Sequence, residues 1–141
     1  MSTAPARNKQ IYVNLPVKDL PRSIAFFKSL GYGFNADFSN DSGACMVISE
    51  GHIYAMLLTE AFFQTFVKKP IADAHKTAEV LVCLACDSRA EVDALVAKAL
   101  AAGGQAPNAP QDMGFMYSHG FEDLDGHIWE LVHMSAAPPA A

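Results

Sequence analysis

The chain has 141 residues, of which 51% are hydrophobic, and a formal net charge of −5 from 10 Lys and Arg against 15 Asp and Glu. This length fits one domain with a sizeable core, and the lack of a block of Lys and Arg argues against a nucleic-acid-binding surface. No apolar run approaches the ~20 residues of a membrane span, and the polar start lacks the apolar segment of a signal peptide. We therefore expect a cytoplasmic protein that binds neither nucleic acid nor membrane.

The first half of the chain alternates strand and helix signals. Residues 11–17 predict a strand, and Asp19 followed by Pro21 predicts the start of a helix. The apolar face of that helix carries Leu20, Ile24, Phe27 and Leu30, and Gly31 ends it. Polar turns then separate three apolar runs, so we predict strands at 33–38, 44–49 and 53–58. The order of the first half is βαβββ.

The second half repeats this order after a connector. Residues 59–69 carry Phe62, Phe63 and Phe66 at helical spacing, which predicts a short helix. A predicted strand at 79–86 precedes a capping box at 88–91 and a helix that ends at Gly103 and Gly104. Three more strands are predicted at 105–109, 115–121 and 127–133. The sequence therefore predicts an α+β fold of two βαβββ modules, about 10–60 and 78–134, in one domain over 9–135, with flexible tails at 1–8 and 136–141.

The three cysteines each lie in an apolar strand pattern, which predicts buried, reduced thiols at Cys45, Cys83 and Cys86. Cys83 and Cys86 have CxxC spacing. Residues three apart on a strand face opposite sides, however, so we expect neither a zinc knuckle nor a redox pair.

The last predicted strand places an acidic residue on an apolar face. Side chains alternate along a strand, so Glu130 shares its face with Ile128 and Val132. A carboxylate there is costly unless it is paired, protonated or bound to a metal. We therefore place Glu130 at the centre of a functional site, as its candidate catalytic residue.

Two segments resemble the vicinal-oxygen-chelate superfamily, which includes glyoxalase I, bleomycin-resistance proteins, extradiol dioxygenases and fosfomycin-resistance enzymes. Residues 13–23, followed by Phe26-Phe27 and by 30–32, resemble its opening, and residues 122–130 resemble its closing strand. The resemblance covers about 10–134. It implies that the two modules form an open, curved mixed β-sheet around a cavity. It also implies a homodimer, because a second chain often completes the site in these proteins.

The resemblance further implies four metal-ligand positions, and only Glu130 matches. The others fall at Tyr12, at Ala55 or its neighbour Met56, and at Leu81 or its neighbour Val80. None of these side chains suits a hard divalent ion. We therefore expect no bound metal and no other cofactor. The alternative is a site rebuilt with Asn14, Cys83 and His119.

Two functional hypotheses follow. In the first, the protein binds a small molecule without a metal, as bleomycin-resistance proteins do. In the second, it is a glyoxalase-like lyase, isomerase or dioxygenase that uses Glu130 as a base with a rebuilt or absent metal. The missing ligands favour the first hypothesis. For either one the predicted cavity is lined by Tyr12, Asn14, Leu57, Cys83, Tyr117, His119 and Glu130.

Overall fold

The computed structural model describes residues 9–137. The predicted tail at 1–8 and the last part of the predicted C-terminal tail, 138–141, lie outside these residues. In chain order the elements are β1 (Ile11–Val17), α1 (Leu20–Ser29), β2 (Gly33–Asn40), β3 (Gly43–Ser49), β4 (Ile53–Thr59), α2 (Glu60–Gln64), β5 (Leu81–Ala85), α3 (Arg89–Ala101), β6 (Gln111–Asp112), β7 (Met116–Glu122) and β8 (Ile128–Met134).

The strands form two open four-stranded sheets, with the orders β1-β4-β3-β2 and β5-β8-β7-β6. In each sheet the first and last strands of the module pair in parallel, and the remaining pairs are antiparallel. The α+β prediction of two βαβββ modules with mixed sheets is therefore confirmed.

The two main helices begin where their capping residues predict. The Asp19 carboxylate accepts a hydrogen bond from the backbone N–H of Arg22 at 3.2 Å, and the Ser88 hydroxyl accepts one from Glu91 N–H at 3.0 Å. Gly31, just after α1, has a φ of +104°, which favours glycine. Within residues 9–137 no helix has the length and apolar character to cross a membrane.

One hydrophobic core holds the two modules together. It contains residues from both sheets and from α1 and α3, including Leu15, Leu57, Phe121, Trp129 and Leu131. The rings of Phe27 and Trp129 lie 5.2 Å apart, and those of Phe26 and Phe121 lie 6.1 Å apart. The sheet faces that carry these core residues are called the helix faces, and the opposite sides are called the open faces.

Two local predictions are wrong, and a third is confirmed with a shorter extent. The predicted strand at 105–109 is replaced by one bridge, between Gln105 and Glu122, and by the two-residue β6. Pro107 and Pro110 account for this, because proline has no N–H to donate to a ladder. The predicted short helix in the connector is present as α2, but it ends at Gln64, and Phe66 beyond it is exposed. Cys83 is also exposed rather than buried, since it lies on the open face of β5, an edge strand.

Candidate functional site

The open face of the first sheet carries Tyr12 and Asn14. Leu15 and Val17, at the alternate positions of β1, are buried in the core, so the predicted register of β1 is confirmed. The Tyr12 ring stacks on Tyr54 of β4 with ring centroids 4.7 Å apart and planes 9° apart. Tyr54 is buried and Tyr12 is about half exposed, so the Tyr12 ring forms the accessible side of this aromatic pair.

The open face of the second sheet carries Glu130 and Cys83. These residues are direct partners in the parallel β5–β8 ladder, so their side chains lie side by side. Desolvation, and then the nearby Glu130 carboxylate, raise the pKa of the Cys83 thiol. Cys83 is therefore a neutral thiol at pH 7, and it is not an activated nucleophile.

The Glu130 side chain lies against Gly120, its direct partner on β7. A Cβ at position 120 would meet Cδ and Oε1 of Glu130 at 3.1 Å and the Trp129 carbonyl oxygen at 2.9 Å. Next to the carboxylate is a hollow of about 70 Å³, whose walls are Pro107, Asn108, Ala109, Gln111, Ser118, His119 and Gly120. Among residues 9–137, no donor forms a hydrogen bond or ion pair with Glu130 by the usual distance criteria.

Sequence reasoning missed Gly120 and Ser118 in this site. A lone glycine inside a strand indicates close approach of another group, and that signal was present at Gly120. Ser118 shares the face of Gly120 and is the partner of Val132 in the ladder. Its position beside Glu130 follows from the register of the β7–β8 pair, which could not be derived from the sequence.

Leu57 does not belong to the predicted cavity. It is fully buried in the core on the helix face of β4, together with Ala55. Met56, opposite Asn14 in the β1–β4 ladder, occupies the open face and is the counterpart of Glu130. Of the two expected positions, Ala55 and Met56, the structure places Met56 on the open face, because the regular β1–β4 ladder pairs Ala55 and Leu57 with the core-facing Val13 and Leu15.

Tyr117 and His119 point to the opposite face of the sheet from Glu130, although His119 also borders the hollow beside it. In the β7–β8 ladder Gly120 is opposite Glu130 and His119 is opposite Leu131, a core residue, so both predicted side chains belong to the helix face. The Tyr117 hydroxyl donates to the Asp93 carboxylate of α3, and His119 Nε2 donates to the carbonyl of Asn108 at 3.1 Å. Both side chains therefore have structural partners.

These donors do not fit a divalent metal. The ladder partner of Glu130 is the neutral Cys83 thiol, and Met56 and Tyr12 at the related positions of the first sheet are poor ligands for hard ions. The described part of the chain contains no cluster of three or more His, Cys, Asp or Glu side chains with metal-binding geometry. A catalytic divalent site needs about three protein ligands, so we derive no chemistry through a metal.

Two larger cavities lie between the modules. A polar cleft of about 1020 Å³ borders the start of α1 and the turn before β8, and Asp125 in it is already bonded to Lys18 and Ser23. A mainly apolar cavity of about 400 Å³ lies under the connector. Of the predicted site residues only Asn14 lines it. The predicted residues are thus divided between two sheets, and within residues 9–137 they do not surround one common cavity.

Comparison with known proteins agrees with this architecture. The family model of the Glyoxalase/Bleomycin resistance protein/Dioxygenase superfamily matches residues 9–131. No curated protein sequence matches the chain. The structure of the hypothetical protein SA1046 from S. aureus is 28% identical, with a TM-score of 0.76 over 91% of this chain and 95% of that chain.

Two more distant structures share the fold. A glyoxalase-related enzyme from Fulvimarina pelagi is 20% identical, with a TM-score of 0.76 over 94% of this chain and 93% of that chain. TnmS3, an antibiotic binding protein from Streptomyces sp. CB03234, is 18% identical, with a TM-score of 0.65 over 94% of this chain and 100% of that chain.

Proposed function

The chain belongs to the glyoxalase/bleomycin resistance protein/dioxygenase superfamily, and we propose that it binds an amphipathic small molecule against its open sheet faces, without a bound metal. The observation that carries the proposal is the environment of Glu130. Glu130 is partly exposed between the aliphatic side chains of Ile128 and Val132, and its carboxylate adjoins a hollow. Ligand sites commonly combine apolar walls with a few polar groups of this kind.

The structural relatives support a binding role only in outline. One of them, TnmS3, is named as an antibiotic binding protein, and its identity of 18% supports a shared fold and not a shared ligand. The stronger support comes from the side chains of this chain. Tyr12, Leu81 and Met134 leave roughly half of their surfaces exposed on or beside the open faces, and exposed apolar surface of this kind is typical of interaction sites.

We further propose that a second copy of the chain completes the site. The predicted site residues are divided between two sheets of one chain. The edge strands β1 and β5 expose Ile11, Tyr12, Val80 and Leu81 at or beside them. A two-fold partner would cover this apolar surface and enclose the open faces.

Binding is tested with a fragment panel that spans neutral, acidic and basic aromatic compounds, followed by saturation-transfer NMR. We expect several members to bind, and Cys83→Phe, which fills the open face beside Glu130, to abolish binding. The matched control is Ala97→Phe on the exposed side of α3, which should leave binding unchanged. A panel without binders, or binders that are insensitive to Cys83→Phe, would refute the proposed site.

Metal content separates this proposal from the enzymatic alternative. Protein purified without chelator should contain well under one equivalent of Ni, Zn, Fe or Mn per chain, since Glu130 has no suitable co-ligands. Stoichiometric metal that is lost in Glu130→Gln would instead favour a metal-dependent lyase, isomerase or dioxygenase.

A further inference from the structure

The open faces lack positive charge. The strands of the first sheet contain no Lys, Arg or His. In the second sheet the only such residues are His119 and His133, which pair with Leu131 and Tyr117 and lie on the helix face. His119 also borders the hollow beside Glu130, where its Nε2 donates to the carbonyl of Asn108. His133 Nδ1 also hydrogen-bonds the carbonyl of Cys86. An anionic ligand on the open faces would therefore meet no counter-charge from these strands.

Negative charge on the same surface is present and unpaired. Glu130 and Glu122 both lie on the open face of the second sheet, because their ladder partners are Gly120 and Ile128. Within residues 9–137 the one ion pair joins Arg89 and Asp112, which leaves both glutamates without a cationic partner. A carboxylate on a mostly apolar surface gains most from a ligand that supplies the missing cation.

The hollow beside Glu130 has the size and polarity of a site for a small cationic head group. Its volume of about 70 Å³ is roughly twice the ~30 Å³ that one water molecule occupies in the liquid. Asn108, Gln111 and Ser118 in its wall carry side-chain oxygens that can accept hydrogen bonds. A primary ammonium has three donors for such acceptors.

Gly120 makes this arrangement possible. The absence of a side chain there leaves room for the Glu130 carboxylate against β7, at the rim of the hollow, since a Cβ would lie only 3.1 Å from its Cδ and Oε1. Ile128 and Val132 extend the same face as an aliphatic surface next to the hollow. The hollow that suits a ligand's head group therefore adjoins the aliphatic surface that suits the ligand's apolar body.

We propose that the site selects ligands with a protonated amine beside an apolar body, and that Glu130 is the residue that determines this selectivity. The inference rests on the proposed small-molecule binding. The amine forms a charge-assisted hydrogen bond with Glu130 and enters the hollow, and the apolar body covers the aliphatic surface. Acidic ligands are excluded, because Glu130 repels them and the open faces offer no compensating cation.

The test uses three probes that share a phenyl body and differ in their head groups: 2-phenylethylamine, 2-phenylethanol and 3-phenylpropionate. Dissociation constants are measured by titration NMR at pH 7. We expect the amine to bind at least about tenfold more tightly than the alcohol, the range that a hydrogen bond to a charged group provides. The propionate should bind more weakly than both.

Two substitutions locate the origin of the preference. Glu130→Gln keeps the size of the side chain and removes its charge, so the amine and the alcohol should then bind equally. Glu122→Gln removes a carboxylate from the same face but outside the wall of the hollow, and should leave the preference intact. Circular dichroism and a thermal melt check that each variant is folded. Glu130→Asp, which withdraws the carboxylate from the hollow, provides a second variant with an expected partial loss.

The outcomes separate this inference from the proposed function. Binding of the probes or of other panel members without a preference for amines would overturn the amine inference and leave small-molecule binding in place. If the preference survives Glu130→Gln, or if Glu122→Gln removes it equally, the selectivity comes from the overall electrostatic field of the protein. Either result would overturn the role of Glu130. No binding by any compound would overturn both proposals.

Discussion

Asp123 stabilises the turn that positions β8, although it is a buried carboxylate. One of its oxygens accepts hydrogen bonds from the backbone N–H groups of Asp125 and His127, and the other accepts from Trp129 Nε1, each at 3.0 Å. Burial nevertheless raises the pKa of Asp123 above its ordinary value of 3.8, against the opposing effects of His127 and of these hydrogen bonds. The turn before Glu130 therefore depends on one side chain whose charge is costly.

This pKa shift predicts a pH dependence. A raised pKa means that the folded state holds the proton more tightly than the unfolded state. The contribution of Asp123 to the free energy of unfolding is thus largest below pH 3.8 and falls as the pH rises through the folded-state pKa. The asparagine in Asp123→Asn does not titrate. Its amide N–H₂ would face the Trp129 N–H, which should reduce the free energy of unfolding by about 1–3 kcal/mol.

Urea unfolding between pH 4 and 7 should therefore show the stability difference between wild type and Asp123→Asn shrinking as the pH rises. Asp37→Asn, at an exposed position of β2, serves as the control, and its small difference should not depend on pH in this way. A difference for Asp123→Asn that grows with pH would show that the hydrogen bonds outweigh desolvation.

At the scale of elements, Asp125 ties the start of α1 to the second module. Its carboxylate accepts hydrogen bonds from Lys18 N–H at 2.8 Å and from the Ser23 hydroxyl at 3.2 Å. His127 adds a link, since its Nε2 donates to the carbonyl of Pro16 at 2.7 Å. A negative charge at the N-terminus of a helix also interacts favourably with the helix dipole.

Asp125→Ala should reduce the free energy of unfolding by about 1–3 kcal/mol, because it removes two hydrogen bonds to a charged group and the dipole interaction. The urea midpoint measures the loss. Asp41→Ala, an exposed aspartate near the same cleft, should change stability by less than about 0.5 kcal/mol. Equal effects in the two variants would mean that Asp125 acts only through general surface charge.

The helices and strands could be predicted from the sequence, but the sheet face on which each side chain lies could be predicted only in part. Capping residues and apolar periodicity gave the βαβββ order twice, because these signals are local. The faces of β4 and β7 depend on strand pairing, which is not local. Pairing with Leu15 of β1 places Leu57 on the helix face, and the Gly120–Glu130 pairing does the same for Tyr117 and His119.

On the scale of the whole molecule, the two edge strands are protected to different degrees. On β1, Pro16 has no N–H to offer a further strand, and its carbonyl accepts a hydrogen bond from His127. The carbonyl of Tyr12 accepts a hydrogen bond from the Asn14 side-chain amide. On β5, Cys86 N–H bonds to Val132 of β8. Because bonding alternates along a parallel pair, the N–H and C=O groups of Leu81, Cys83 and Ala85 point away from β8. The open edge of β5 is therefore the less protected one.

The proposed homodimer should depend on this β5 edge. Leu81 is 60% exposed there, and a charge at its position would have to be buried in any interface that covers β5. In sedimentation equilibrium at micromolar concentration, we expect wild type at twice the 15.2 kDa chain mass and Leu81→Glu close to the monomer mass. Leu100→Glu is the matched control, because Leu100 is a similarly exposed leucine, at 45%, on α3, away from both edges. Wild type at the monomer mass would refute the dimer, whereas a dimer that persists in Leu81→Glu would place its interface elsewhere.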